Sequence, residues 1–192
     1  MIPEPWHSFL TELDQAASAA VHLHCIGGFV VTQLYGLSRL TADVDVLSIV
    51  PFDEQAQLLQ KGGKGSELHK KYRVYLYFVA VASYPSDYEK RLTEMFPGTY
   101  KHLRLLALDP YDLALTKLSR NIERDRDDVK YLARTIPFDL EVLKQRYQAE
   151  FRPYVLGEPN QHDLTLELWI EMIQEERNAS GGKSGTEGTF SP

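Results

Sequence analysis

The stretch that constrains this chain most is Asp43 to Val50, DVDVLSIV, which alternates at first and is then apolar to its end at Pro51. Such a run reads as an interior β-strand, so the chain must build a sheet with cover on both faces. Asp43 and Asp45 are two apart, which points both carboxylates to one face and Val44 and Val46 to the other. A charge on an apolar strand is costly to bury, and two acids side by side repel unless a cation sits between them. Hard oxygen ligands of this kind suit Mg2+ or Mn2+. Upstream, Gly27-Gly28 closes a short strand, His22 to Ile26, and opens an apolar helix, Phe29 to Leu37. Backbone amides at such a pair approach a ligand closely, and the helix start adds partial positive charge, so phosphate is the expected guest. Alone, a glycine pair is most often a turn and an Asp-x-Asp a solvated strand end; their order and separation raise both.

A length of 192 residues predicts one compact domain, or a core with a small helical annex. A single cysteine, Cys25, excludes an internal disulfide or a cysteine zinc cluster and points to a reducing compartment. With acids scattered through MIPEPWHSFLTELDQ and no run of membrane-spanning length, the expected location is the cytoplasm, with no membrane partner. The net charge of -6 argues against coating nucleic acid through bulk charge. Charge is uneven, however. Lys61 to Arg73 carries five basic residues against Glu67, and Asp139 to Arg177 carries nine acids against four bases. A polyanion would therefore approach the middle of the chain. The last residues, 178–192, are almost all small or polar and are expected to be a disordered tail.

Period and punctuation supply the other elements. A helix follows Pro5, with Phe9, Leu10, Leu13, Ala16, Ala17 and Ala20 on one stripe. Asp53 to Gln60 reads as a helix ending in the KGGKG loop, which lacks the Gly-Lys-Ser/Thr ending of a phosphate loop. Tyr72 to Val81 is the densest in aromatic and β-branched residues and predicts a strand, its tyrosines packed against the sheet's helices. Tyr100 to Leu108 predicts another strand. From Pro110 to about Gln148 the pattern is helical, with a further helix near Leu164 to Glu176. His22 and His24 share a strand face without a third ligand nearby, and Cys25 reads as packing.

One continuous helix over Leu113 to Leu132 would gather Lys117, Arg120, Asn121, Arg124 and Asp128 on one face. Leu115, Leu118, Ile122 and Val129 would lie on the opposite, core-facing side, and a break near Asp125 would only partly spoil the alignment. A cationic stripe is ordinarily a solvated surface.

Together these residues resemble a known family. The string Gly27-Gly28, Arg39, Thr41, Asp43 and Asp45 is similar to the signature of the polymerase-beta-like nucleotidyltransferase superfamily. DPYDLALTKLSRNIERDRDDVKYLA resembles the helical motif of minimal nucleotidyltransferases related to abortive-infection toxins, with the DUF6036-type proteins nearest. The resemblance implies an α+β fold, a small mixed sheet flanked by helices, divided as a core at 1–108, a helical part at 109–177 and the tail. It implies Mg2+- or Mn2+-dependent transfer of a nucleoside monophosphate from an NTP to a hydroxyl on an RNA end, a protein or a small molecule, with a cognate toxin or antitoxin as partner. Asp43 and Asp45 would hold the metal, and Gly27, Gly28, Arg39, Thr41, Arg120 and Arg124 would hold the nucleotide. Lys117 would meet phosphate, while Asp125 or Asp128 would orient these cations or serve as a base. The family's third carboxylate has no counterpart between Leu68 and Tyr84, which leaves Asp87 or the Asp125/Asp128 pair to supply it. Without it, a non-catalytic nucleotide-binding or toxin-neutralising protein is the alternative.

Overall fold

The computed structural model describes residues 2–181. Helix α1 (Trp6–Ala16) buries Trp6, Phe9, Leu10 and Leu13 and stops before the expected Ala17 to Ala20 extension. Near its end Asp14 accepts hydrogen bonds from the backbone N–H groups of Lys101, His102 and Leu103 at 3.1, 2.7 and 2.8 Å. Burial pushes this carboxyl up, but the three donors outweigh it and hold the group below its ordinary value.

Strands β1 (Val21–Ile26), β2 (Asp43–Val50), β3 (Tyr75–Phe78), β4 (Thr93–Met95) and β5 (Leu103–Ala107) form one mixed sheet in the order β3-β2-β1-β5-β4. Neighbours β1/β2 and β4/β5 run antiparallel, while β1/β5 and β2/β3 run parallel. The acidic strand is interior, as its pattern requires, with Val44 and Val46 fully buried. Helix α2 (Gly27–Gln33) starts on the glycine pair itself and is shorter than the expected Phe29 to Leu37 segment.

The strand expected over Tyr72 to Val81 shrinks to four residues at the sheet edge. Its first part belongs to α4 (Glu67–Tyr72), which follows α3 (Gln55–Gly62) after a tight turn. Ser66 caps α4 by accepting from the His69 N–H at 3.1 Å, and Arg73 ends it at φ 62°. A side-chain cap and a left-handed stop thus override strand propensity there.

The long cationic helix is two helices, α5 (Pro110–Leu118) and α6 (Glu123–Thr135). Asn121 takes φ 45°, its N–H bonds the Lys117 carbonyl at 3.0 Å, and its Oδ1 accepts from the Trp169 indole at 2.9 Å. Asparagine tolerates this left-handed geometry, so the chain turns back and α6 restarts. Ile122, expected in the core, consequently lies in the turn at 45% exposure, whereas Leu115, Leu118 and Val129 are buried as expected. Helices α7 (Leu140–Arg146) and α8 (Pro159–Gly181) complete the helical part. Residues 178–181 of the expected tail continue α8, and 182–192 lie outside the described residues.

Two apolar clusters result. One joins the sheet to α1, α2 and α4; the other lies among α5, α6, α7 and α8. Helices α5 and α6 belong to both, through Leu113 and Leu132 on one side and Leu115, Leu118 and Val129 on the other. The fold is thus α+β, with a five-stranded mixed sheet, flanking helices and a helical C-terminal part. Among the described residues no helix is long and apolar enough to cross a membrane.

Candidate functional site

A cavity of about 310 Å³ opens where β2, α2 and α5 meet. Asp43 and Asp45 form one wall, side by side on the open face of β2. Asp43 accepts from the Thr41 hydroxyl at 3.2 Å and the Tyr75 hydroxyl at 3.3 Å. The Asp45 carboxylate receives no hydrogen bond from any described residue. Burial first, and the neighbouring Asp43 second, push its carboxyl up to about 6, against the opposing pull of Lys117, Arg120 and Arg124.

The glycine pair is explained by these same side chains. Gly27 sits at φ 71°, and a Cβ there would collide with Asp45 Oδ2. At Gly28 a Cβ would come within 2.8 Å of Arg39 Nη2 and 3.2 Å of Thr41 Oγ1. The motif residues therefore pack on one another: the acid fills the space that a side chain at Gly27 would need, and Arg39 lies over Gly28.

Five cations line the cavity, Arg39, Lys64, Lys117, Arg120 and Arg124, against only the two carboxylates. Three are held by acids set behind them. Asp128 takes a two-pronged bond from Arg39, at 3.0 and 2.7 Å, and accepts from Lys117 Nζ at 2.7 Å. Asp125 takes the Arg120 fork at 2.8 and 2.6 Å, accepts the Ile122 N–H at 3.3 Å, and stands 3.7 Å from Lys117. Arg124 donates to the Leu40 carbonyl at 3.1 Å, which ties α6 to the loop before β2. Arg39 Nη1 is buried with no hydrogen-bond partner, an orphaned donor at the cavity wall.

The structure thus gathers Gly28, Arg39, Thr41, Asp43, Asp45, Lys117, Arg120 and Arg124 around one space, with Gly27 behind Asp45. It also shows the setting of three others. Lys117 lines the cavity yet is 4% exposed and locked between two acids, because α6 folds back onto it. Asp125 and Asp128 are fully buried behind the cations and do not reach the cavity. They orient Arg39, Lys117 and Arg120 and do not supply a third carboxylate to the acidic wall. Nor does Asp87, which pairs with Lys90 at 2.9 Å on the surface. Among the described residues no group of three His, Cys, Asp or Glu side chains is placed to hold a metal ion.

The neighbouring strand offers phenols where that carboxylate was sought. In the β2/β3 register Tyr75 lies opposite Asp43 and Tyr77 opposite Asp45, and both rings line the cavity, Tyr75 also packing edge-on against His69 of α4 at 4.9 Å. Lys64 was equally missed. It projects from the Gly63 to Ser66 turn to 5.8 Å from the Tyr75 ring centroid. Gly63 forms an isolated parallel bridge with Leu76 of β3, which brings the KGGKG turn beside the acids; a lysine in a glycine-rich turn is its one signal in the sequence. Of the other basic residues in this stretch, Lys70 and Lys71 pair with Glu67 and Glu12, away from the cavity. His24 bonds the Tyr88 hydroxyl at 3.0 Å, and Cys25 is buried with its thiol pushed up by burial, so neither enters the site.

A divalent cation fits the donor set present: two hard carboxylates on one face, one of them without a hydrogen bond and raised by burial and its acidic neighbour, a repulsion that a cation would relieve. A phosphate fits the opposite wall, where an orphaned guanidinium nitrogen adds to the cationic excess. No curated protein and no solved structure matches the chain. A family described as "Nucleotidyltransferase of unknown function (DUF6036)" matches residues 8–177, which takes in the whole cavity and all its supporting ion pairs. With that span of agreement, the chain belongs to the DUF6036 family of nucleotidyltransferases.

Proposed function

We propose that the protein transfers a nucleoside monophosphate from an NTP to a hydroxyl acceptor in a divalent-cation-dependent reaction. The observation that carries this reading is the two-walled cavity, with paired carboxylates facing five cations across about 310 Å³. Asp43 and Asp45 would hold Mg2+ or Mn2+, which when bound screens the phosphate charge and polarises the α-phosphate. Arg39, Arg120 and Arg124 present planar forks to phosphate oxygens, and Lys117 adds a fixed positive charge. Gly28 lets the start of α2 come close to them. The acceptor oxygen bonds to the α-phosphorus, the bond to the bridging oxygen breaks, pyrophosphate leaves, and the hydroxyl proton passes to solvent. An RNA end, a protein or a small molecule would serve as acceptor. A toxin-antitoxin or phage-defence setting follows from the sequence resemblance alone.

A second reading, nucleotide binding without turnover, is favoured by one observation: Asp125 and Asp128 are each taken by a guanidinium and leave the metal wall with two acids. One experiment separates the two. The protein is incubated with α-labelled NTPs, Mg2+ or Mn2+, and RNA, protein and small-molecule acceptors, while calorimetry follows NTP binding. Label transfer that Asp45→Asn reduces about 100-fold or more supports the enzyme. Metal-dependent binding without transfer supports the alternative. Absence of metal-dependent NTP binding overturns both.

A further inference from the structure

A second cavity, of about 300 Å³, adjoins the first and shares Asp45, Tyr77, Lys117 and Arg120 with it. Its remaining wall has a different chemistry. Among charged side chains the first cavity adds Arg39, Lys64 and Arg124 with Asp43, and the second adds none. One side of it is apolar, from Val79, Val81 and Ala82 in the segment after β3; the other is the C-terminal turn of α5 with Thr116 and Ser119.

We infer that the second cavity receives the nucleoside of the NTP, so that the substrate lies across both cavities with its α-phosphate over Asp45. This rests on the nucleotide reading above and deepens it. An NTP is amphiphilic in one direction: a chain of anionic phosphates ends, at the α-phosphorus, in an uncharged sugar and base. The two cavities carry the same gradient, and the residues they share include an acid that would hold the metal and two cations. The polyphosphate belongs on the side with three further cations, and the nucleoside on the neutral side. There the half-exposed Tyr77 ring, 49% exposed, presents an aromatic face at the junction.

The polar atoms of this neutral wall suit a sugar or base edge. Ser83 Oγ accepts the Leu156 N–H at 3.0 Å and is buried, which leaves its own O–H proton to donate. Thr116 spends its proton on the Leu113 carbonyl at 2.7 Å and keeps acceptor lone pairs. Ser119 is exposed, and its hydroxyl has no partner among the described residues. Donor and acceptor groups thus face apolar surface across a space at the small end of ligand pockets.

The test compares two probes, inorganic tripolyphosphate and the four common NTPs, by calorimetry in Mg2+ buffer on the full chain. Ala82→Phe and Ser119→Phe each fill the neutral cavity from an exposed or half-exposed position, and Arg124→Ala removes a cation from the other. The expected result is that either filling substitution weakens NTP binding about tenfold or more and leaves tripolyphosphate binding within about twofold, while Arg124→Ala weakens both. Filled variants that bind NTP like the parent, or that lose only label transfer to the acceptor, overturn the nucleoside assignment and leave the proposed function standing. If the parent protein binds neither probe, the proposed function fails and the assignment fails with it.

Discussion

Replacing Lys117 by alanine removes a cation that lies 2.7 Å from Asp128 and 3.7 Å from Asp125, with all three side chains almost wholly buried. At an effective dielectric of about 20 these contacts are worth about 6 and about 4 kcal/mol of attraction. Burying the ammonium costs several kcal/mol of hydration, which cancels much of that gain. Removal of one partner from a buried cluster typically costs about 3 to 5 kcal/mol, and here each acid keeps an arginine fork, so the lower end applies. Lys117→Ala should therefore lose about 3 kcal/mol, a fall of about 6 to 12 °C in Tm for a chain of this size. Ile122→Ala should change stability by less than about 1 kcal/mol, because the side chain is 45% exposed in the turn before α6. Thermal melts and urea unfolding of both variants measure this directly. The helical stripe read as one continuous helix predicts the opposite pair of results. A Lys117→Ala protein as stable as the parent, or an Ile122→Ala protein destabilised by more than about 2 kcal/mol, would refute the buried-cluster reasoning.

Three further outcomes are expected. Because burial beside Asp43 holds Asp45 at about 6, the native state keeps a proton that the unfolded chain releases near pH 4, and metal-free stability falls as pH rises between those values. Asp45→Asn should flatten that slope and add about 2 to 3 kcal/mol at pH 7 in chelator; superimposable melts from pH 4 to 7 would contradict it. Gly27→Ala puts a methyl against Asp45 Oδ2 at a left-handed position, and should cost about 1 to 3 kcal/mol and abolish metal-dependent NTP binding, as read by melts and calorimetry. Asn121→Ala loses both the left-handed tolerance and the Trp169 bond, and a drop of about 2 kcal/mol in urea unfolding is anticipated, with no drop counting against the turn.

The acidic strand and the glycine pair were legible because their meaning is local. Asp43 and Asp45 share a face by strand period alone, and Gly27-Gly28 sits at a strand-to-helix junction visible in the hydrophobic pattern. The turn at Asn121 was hidden because leucines and valine at 115, 118 and 129 keep helical spacing across it, so periodicity cannot see the break. Its one signal was asparagine followed by an acidic first turn, Glu123 and Asp125. The burial of Lys117 was not legible at all, since it depends on where α6 lands after that turn. Tyr75 and Tyr77 were read for propensity, and only the β2/β3 register shows that they stand beside the two acids.

Helices α5 and α6 lie between the two apolar clusters and contribute side chains to each. The carboxylates of the cavity ride on the sheet, whereas three of its cations, Lys117, Arg120 and Arg124, ride on or between these helices. Opposite charges of one site are thus carried by different elements of the fold, joined by Leu113 and Leu132 in the sheet's cluster, the Arg39–Asp128 fork and the Arg124–Leu40 bond. Displacing the helix pair would move three of the five cations away from the acids while β2 stayed intact, so nucleotide affinity serves as a gauge of how firmly α5 and α6 sit on the sheet.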